Sequence, residues 1–351
     1  MTLDDLIASI ESTDPVHETS AWEHLDSLTK PPRSLGRLEA VAARVARIQM
    51  TTRPDVGKKA IILAAGDHGV VAEGVSPYPQ DVTWQMVANF VAGGAAINQL
   101  AAAAGAELLL YDVGVARDIS AMKDVRHRKV APGTANMAAG PAMTLEQMER
   151  AVLIGADAAF EAIDAGCRLL GTGEMGIGNT TAAAALTAAY TGEPVESVVG
   201  AGTGLDADGV ARKAEVVRRA LAVNSVSGLD AGGVLAAVGG LEIAALAGVF
   251  LGAALRQTCC VADGFISGAA ALAAVRMCPD AADYILPSHL SLEPGHRVVL
   301  DALGLEPVLQ LDMRLGEGTG AALAFGIIEG ACRMLSGMAT FAEAGVSGQG
   351  D

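Results

Sequence analysis

The sequence predicts an α/β protein built on a parallel, doubly wound sheet, and three observations carry that expectation. Short apolar runs recur along the chain, each ending in a Gly-rich polar turn and usually followed by a helix-like segment. Apolar runs alternating with helices imply βαβ units, and βαβ units imply a parallel sheet covered on both faces. The chain is 51% hydrophobic but only 3% aromatic, with 42 glycines. Apolar content made mostly of Ala, Leu and Val suits helices packed closely on a sheet and joined by tight turns. Finally, 351 residues are enough for one large α/β domain or two smaller ones.

The elements follow in order. "LDDLIASIES" is amphipathic, and "HETSAWEHLDSLTK" is helix-like until Pro31-Pro32 stops it. Ser34 is expected to cap the helix "LGRLEAVAARVARIQM", and no strand candidate precedes residue 60. The strand candidates are then "AIILAA" (60–65), "ELLLYDVG" (107–114), "CRLLGTG" (167–173), "SVVGAG" (197–202), "TCCVAD" (258–263), "YILPS" (284–288) and "PVLQLDM" (307–313). In such sheets ligands bind beyond the carboxyl ends of the strands. The polar motifs fall there: Asp67-His68, Glu174 to Thr181, Gly202 to Asp206, Asp263, Ser288-His289 and Glu317. One crevice is expected to gather them. The tail "MATFAEAGVSGQGD" ends in small and polar residues and is expected to fray.

Charge and cysteine usage exclude several function classes. A net charge of −16 repels nucleic acid and anionic membrane, so neither is expected as a partner. An anionic small substrate would need a local cation or a helix N-terminus. The five cysteines show no C-x-x-C pattern and are expected to be buried free thiols in a reducing cytosol. The early acids of "MTLDDLIASIESTDP" and its lack of an apolar core argue against a signal peptide. Residues 231–255 are long enough to span a bilayer, with one charge at Glu242. Their Gly and Ala content, the acid inside them and the lack of a comparable second span favour one or two buried helices.

Several motifs could carry chemistry. In "GTGEMGIGNTTAAAALTAAY" (171–190), Gly176 and Gly178 allow close backbone approach, and Asn179, Thr180 and Thr181 can cap the next helix. That combination suits an anion, although a glycine turn before a helix can also serve packing alone. It is not a P-loop, because no Gly-Lys-Ser/Thr follows. The G-x-G-x-x-G spacing of Gly171, Gly173 and Gly176 would set Glu174 against a pyrophosphate. Gly202 lies in a second such turn, ahead of a helix carrying Lys213. Spacing alone leaves Lys213 between a phosphate partner and a solvated face. Glu317 stands between two glycines in "RLGEGTGAAL", close to apolar chain on both sides. A carboxylate with little solvent has a raised pKa and suits a general base. Thr319 can cap the helix that follows, and the alternatives for Glu317 are that it merely caps a helix start or pairs with Arg314. Asp67-His68 lacks a second histidine at ligand spacing, so no metal site is expected. No G-x-S-x-G elbow is present.

Six blocks occur in order: "KPPRSLGRLE" (30–39), "GDHGVVAEGVSPYP" (66–79), "GTGEMGIGNTTAAAAL" (171–186), "VVRRAL" (216–221), "LPSHLSLEPG" (286–295) and "MRLGEGTGAAL" (313–323). On these, from about residue 20 to 340, the chain resembles the nicotinate-nucleotide–dimethylbenzimidazole phosphoribosyltransferase family of cobalamin lower-ligand assembly. The resemblance implies transfer of ribose phosphate from nicotinate mononucleotide to 5,6-dimethylbenzimidazole, with inversion at C1′. Glu317 matches the family's catalytic glutamate, which takes the proton of the benzimidazole. Glu174 matches a second acid, placed to stabilise positive charge at C1′ or to orient the ribose. Gly176, Gly178, Asn179, Thr180, Gly202, Lys213 and Asp263 match positions around the ribose phosphate.

The segment "SPYPQDVTWQMVANF" (76–90) matches the base pocket, with Tyr78, Val82, Thr83, Met86 and Asn89 as implied liners and Met175 and Leu315 over the ring faces. Tyr78 stands where the family can have serine and Met86 where it can have glutamine, which leaves the preferred base open. The resemblance further implies a Rossmann-like catalytic domain over 56–330. It implies a small helical domain from 1–55 plus 331–351, a homodimer in the cytoplasm, and no metal or redox cofactor.

Overall fold

The alternating runs assemble into one six-stranded sheet in the computed structural model, which describes residues 1–347. Its strands are β1 Lys58–Gly66, β2 Ala106–Gly114, β3 Val125–His127, β4 Cys167–Met175, β5 Cys259–Ala262 and β6 Ile285–Pro287. The order is β3-β2-β1-β4-β5-β6 and every pairing is parallel. Ile62 of β1 sits opposite Leu109 of β2 on one side and Thr172 of β4 on the other. The order reverses between β1 and β4, which opens a crevice beyond their carboxyl ends.

The helices are α1 Leu3–Ala8, α2 Pro15–Ser27, α3 Arg37–Ile48, α4 Val82–Val91 and α5 Ala96–Ala103. After β2 and β3 come α6 Leu145–Asp164, α7 Asn179–Thr191, α8 Val195–Val198, α9 Ala207–Val223, α10 Ala231–Val238 and α11 Leu241–Leu255. The chain ends with α12 Phe265–Met277, α13 Pro294–Leu303, α14 Thr319–Gly337 and α15 Phe341–Ala344. Successive strand residues point to opposite faces, and β4 shows both. Thr172 meets Ser267 of α12 through a 2.7 Å hydrogen bond. The neighbouring Gly171 faces Ala321 and Phe325 of α14. With both faces covered, β1 reads as an unbroken apolar run, and Ile61, Ile62 and Leu63 are buried. Small residues let helices approach closely: a Cβ on Gly248 of α11 would overlap the carbonyl oxygen of Val152 in α6.

The stretch 231–255 forms two helices, α10 and α11, separated at Gly239-Gly240. Its one acid, Glu242, is fully buried and meets His68 Nε2 at 2.6 Å. By length and composition Val82–Ala103 could also cross a bilayer. The chain turns inside that stretch, at Gly93 with φ +76°, to make α4 and α5. All five cysteines are buried and unpaired. The two ends of the chain meet, Leu28 bridging Thr340 in antiparallel sense. Leu25 and Val45 from the first helices join the same hydrophobic cluster as the strands. Of the tail, α15 belongs to the described residues, whereas 348–351 lie outside them.

Three local expectations are corrected. Residues 197–202 are no strand: Pro194 starts the short helix α8, and a turn follows. Residues 307–313 run beside the end of β6, with Leu290 N–H donating to Leu309 O, but Asp312 adopts φ +55° and ends any extended run. Short apolar runs do not separate strand from helix or from extended loop by periodicity. Ser34 is not a cap. It belongs to turns that follow the prolines, and α3 starts after Gly36 at φ +56°. The edge strand β3 went unforeseen because Val125–His127 has one buried residue and no apolar run.

Candidate active site

Beyond the carboxyl ends of β1, β4 and β5 lies a cleft of about 610 Å³, a size that suits a small organic ligand. The end of β4 supplies Glu174 and Met175, the turn after it Gly176, and the start of α7 Asn179 and Thr180. Gly202, Asp263, Leu315 and Glu317 line it from other loops, and Tyr78, Val82 and Met86 close it from the α4 side. The sheet thus gathers most of the sequence-predicted residues from loops far apart in the chain. Gly178, Thr83, Asn89 and Lys213 do not line the cleft. Thr83 instead accepts a hydrogen bond from Ile177 N–H, and Gly178 packs on Val71 and His68.

Three carboxyl groups dominate the electrostatics. Glu174 is buried at the end of β4, where desolvation and the charges of Asp263 and Glu242 raise its pKa to about 8. Its Oε2 accepts a hydrogen bond from the Asn179 amide. Burial raises Asp263 to about 7, against the pull of three backbone N–H groups. Those donors are Gly318 at 3.0 Å, Gly320 at 2.6 Å and Ala321 at 3.0 Å. Asp263 therefore caps α14 from another strand end. Thr319, the cap expected from sequence, lies inside the helix and donates to Gly316 O. Asn179, Thr180 and Thr181 likewise do not cap α7, which starts after Gly178 in the left-handed region.

Glu317 sits at the mouth of α14 with φ +63°, a conformation uncommon for a residue with a side chain. It is 6% exposed, and its Oε2 has no hydrogen-bond partner among the described residues. Burial raises its pKa, while the Ile97 N–H at the start of α5 acts the other way. The flanking glycines serve backbone geometry: Gly316 has φ +85°, and a Cβ there would overlap Glu174 Oε1. Arg314 does not pair with Glu317. It donates to Gly202 O at 3.3 Å.

The cation lies behind the second wall, against Thr180. Lys213 is 1% exposed, so it forms no solvated face. Its Nζ donates to Thr180 Oγ1 at 2.8 Å and to Gly200 O at 3.3 Å. Burial lowers its pKa to about 8, opposed by Glu293. Arg218 and Arg219 point elsewhere and pair with Glu215, Glu196 and Glu73.

The apolar rim is unusually open. Leu315 is 57% exposed and Tyr78 50%, although both border the cleft. Val82 and Met86 lie one helical turn apart on α4 and face inward with Met175, whereas Asn89 sits beside Gly94.

Sequence reasoning missed Ser291 and Glu293, which line the cleft, and saw Arg314 only as a partner for Glu317. The sequence signal at Glu293 was an acid before Pro294, which reads as an ordinary helix start. His289 also lines the cleft, and burial depresses it to about 4, so it is neutral near pH 7. Asp67 and His68 lie below the cleft floor, where Asp67 accepts from Ala116 N–H at 2.7 Å and His68 pairs with Glu242.

The family model described as "Phosphoribosyltransferase" matches residues 10–346. Curated relatives named nicotinate-nucleotide–dimethylbenzimidazole phosphoribosyltransferase include one from Chloroflexus aggregans, 51% identical over 98% of this chain and 98% of its own. A second, from Thermus thermophilus, is 54% identical over 95% of this chain and 99% of its own. The crystal structure of CobT from Thermus thermophilus superposes with a TM-score of 0.93 at 53% identity, covering 95% of this chain and 100% of that one. With near-complete coverage at this identity, the chain belongs to the nicotinate-nucleotide–dimethylbenzimidazole phosphoribosyltransferase family and is a transferase enzyme.

Proposed function

We propose that the enzyme transfers the ribose phosphate of nicotinate mononucleotide to 5,6-dimethylbenzimidazole, forming α-ribazole 5′-phosphate and nicotinate for the cobalamin lower ligand. One ring nitrogen of the base attacks C1′ as the C1′–N bond to nicotinate breaks. The bonding pair leaves with the pyridine nitrogen and neutralises its positive charge. The other ring nitrogen loses its proton to Glu317. Attack opposite the leaving group inverts C1′ through an oxocarbenium-like state, as in inverting glycosyl transfer.

The observation that carries this reading is the Glu317 carboxylate, buried with a free oxygen beside the open apolar rim of Leu315 and Tyr78. An acceptor poised in a dry site meets the requirement for a general base. Glu174 supplies negative charge near the reacting carbon once ionised, and Asp263 holds the loop of Glu317 while facing the ribose side. Gly176, Asn179, Thr180 and Gly202 form the phosphate side, with Gly178 and Lys213 directly behind it. Thr83 and Asn89 support the α4 wall of the base pocket, which Tyr78, Val82, Met86, Met175 and Leu315 complete.

The same reading makes the enzyme a cytoplasmic homodimer, with 1–55 and 331–351 as a helical unit beside a catalytic unit of 56–330. The second boundary falls within α14.

The test is a product assay. Purified protein is mixed with nicotinate mononucleotide and 5,6-dimethylbenzimidazole, beside other benzimidazoles, adenine and a control without base. Nicotinate release that requires a base, with an α-N-glycosidic product, is expected. Release that is absent with every base would sink the reading, and the ranking of bases measures what Tyr78 and Met86 select.

A further inference from the structure

Glu293 stands immediately before α13 and is 6% exposed, yet it borders the cleft. Its Oε1 accepts the Gly202 N–H at 2.9 Å. Its Oε2 has no hydrogen-bond partner among the described residues. The turn it grips is held from other sides as well. Lys213 donates to Gly200 O, and Arg314 donates to Gly202 O. Gly200 has no room for a side chain, since a Cβ there would overlap Glu293 Oε2. A buried carboxylate thus occupies the backbone donor of the turn that faces Thr180 and Lys213.

That arrangement is costly unless it does something. A buried carboxylate with one orphan oxygen loses hydration that a single N–H does not replace. The donor it occupies is also the group that an incoming phosphate would use, next to a buried ammonium.

We propose that Glu293 is an internal competitor at the phosphate seat: its carboxylate stands in for the phosphate when the seat is empty and must yield to it. This rests on the assignment of the Gly202–Lys213 wall to the nucleotide phosphate. A dianionic phosphomonoester displaces Glu293 because it gains charge-assisted bonds from Lys213 and Gly202 together. A monoanion, or a nucleoside without phosphate, gains too little and is refused. Every occupant meets the same displacement cost, so Glu293 lowers anion affinity across the board and leaves only strongly held anions in the seat.

The test uses the full-length protein and titration calorimetry with inorganic phosphate, sulfate and formate as probes. Glu293→Gln keeps an acceptor for Gly202 but removes the competing charge. It is expected to bind phosphate roughly tenfold more tightly than wild type, a shift modest for removing a nearby like charge. Formate affinity should rise by a similar factor, since both anions are relieved of the same displacement cost. A merely structural Glu293 would make binding weaker on substitution, never tighter. Glu293→Asp, which draws the carboxylate back by one methylene, should shift phosphate affinity in the same direction by less. It decides the matter if the Gln variant does not fold. Phosphate affinity that is unchanged or weaker in the folded variant overturns the proposal. Failure here is separable from failure of the transferase reading. Base-dependent nicotinate release by wild type with no gain in the variants rejects only the role of Glu293. A gain in the variants without any nicotinate release rejects only the transfer chemistry.

Discussion

The backbone N–H of Glu317 lies 3.4 Å from Oε1 of Glu174, so these two acids share one wall of the cleft. The contact links the end of β4 to the start of α14, across 143 positions of the sequence. It also explains Gly316, because any side chain there would occupy the place of the Glu174 carboxylate. One acid is oriented by the main chain of the other, and a change in either one reaches both.

Glu317→Gln should keep nucleotide binding and lose turnover. Gln preserves shape and one hydrogen bond but cannot take a proton, and general-base catalysis contributes roughly 10²–10⁴-fold. Steady-state rates beside calorimetric binding of nicotinate mononucleotide check this. A near-normal rate in the variant removes Glu317 from the proton transfer. In the wild type, kcat/KM should rise with pH through a midpoint above the ordinary carboxylate range, because burial raises the Glu317 pKa.

Stability should fall as pH rises from about 5 to 8. Glu174 titrates near 8 when folded and near the ordinary glutamate value when unfolded. Between those values the folded state holds a proton that the unfolded state has lost, so the slope of stability against pH is negative. Above the folded pKa the loss is complete. Asp263, near 7, acts in the same sense over a narrower window. Thermal melts across this range should show a decline in wild type and a shallower one in Glu174→Gln. Equal slopes would mean that Glu174 is not the group responsible.

Lys213→Ala should weaken nicotinate mononucleotide binding by roughly tenfold or more, the value of a charge-assisted hydrogen bond. Thr180 Oγ1 and Gly200 O would lose their donor as well. Calorimetry on the nucleotide and on the corresponding nucleoside reads this directly. The loss should be confined to the nucleotide. Equal loss for both compounds would assign Lys213 to the loop instead of the phosphate.

Glu242→Ala should destabilise the fold by about 3–5 kcal/mol, since it leaves a buried partner uncompensated. Burial alone would lower the pKa of His68, but the Glu242 charge and hydrogen bond, aided by Asp67, raise it overall. Denaturant unfolding measures the change. Double replacement by residues of similar volume, His68→Phe with Glu242→Leu, should recover part of the loss. No recovery would mean that the pair contributes more than its own neutralisation.

Much of this protein was legible before folding was considered. Periodicity and glycine turns determined the parallel sheet, and the ordered motif blocks determined the family. The apolar stretch 231–255 read correctly as helices to be buried, because bilayer spans rarely carry an acid and paired glycines. Local pattern raised Glu317 and Lys213 as candidates without deciding either, and a role for Glu174 came only with the family resemblance. Other features depended on tertiary structure. Whether 197–202 and 307–313 become strands depends on which neighbours offer a free edge, and a short apolar run carries no such information. Thr319 looked like the cap of α14, but the cap came from Asp263, some fifty-five residues away. Glu293 was not singled out from the sequence, and only folding brings it against Gly202. The reason is common to all of them: a sequence records which groups need partners, whereas the sheet order decides which groups meet.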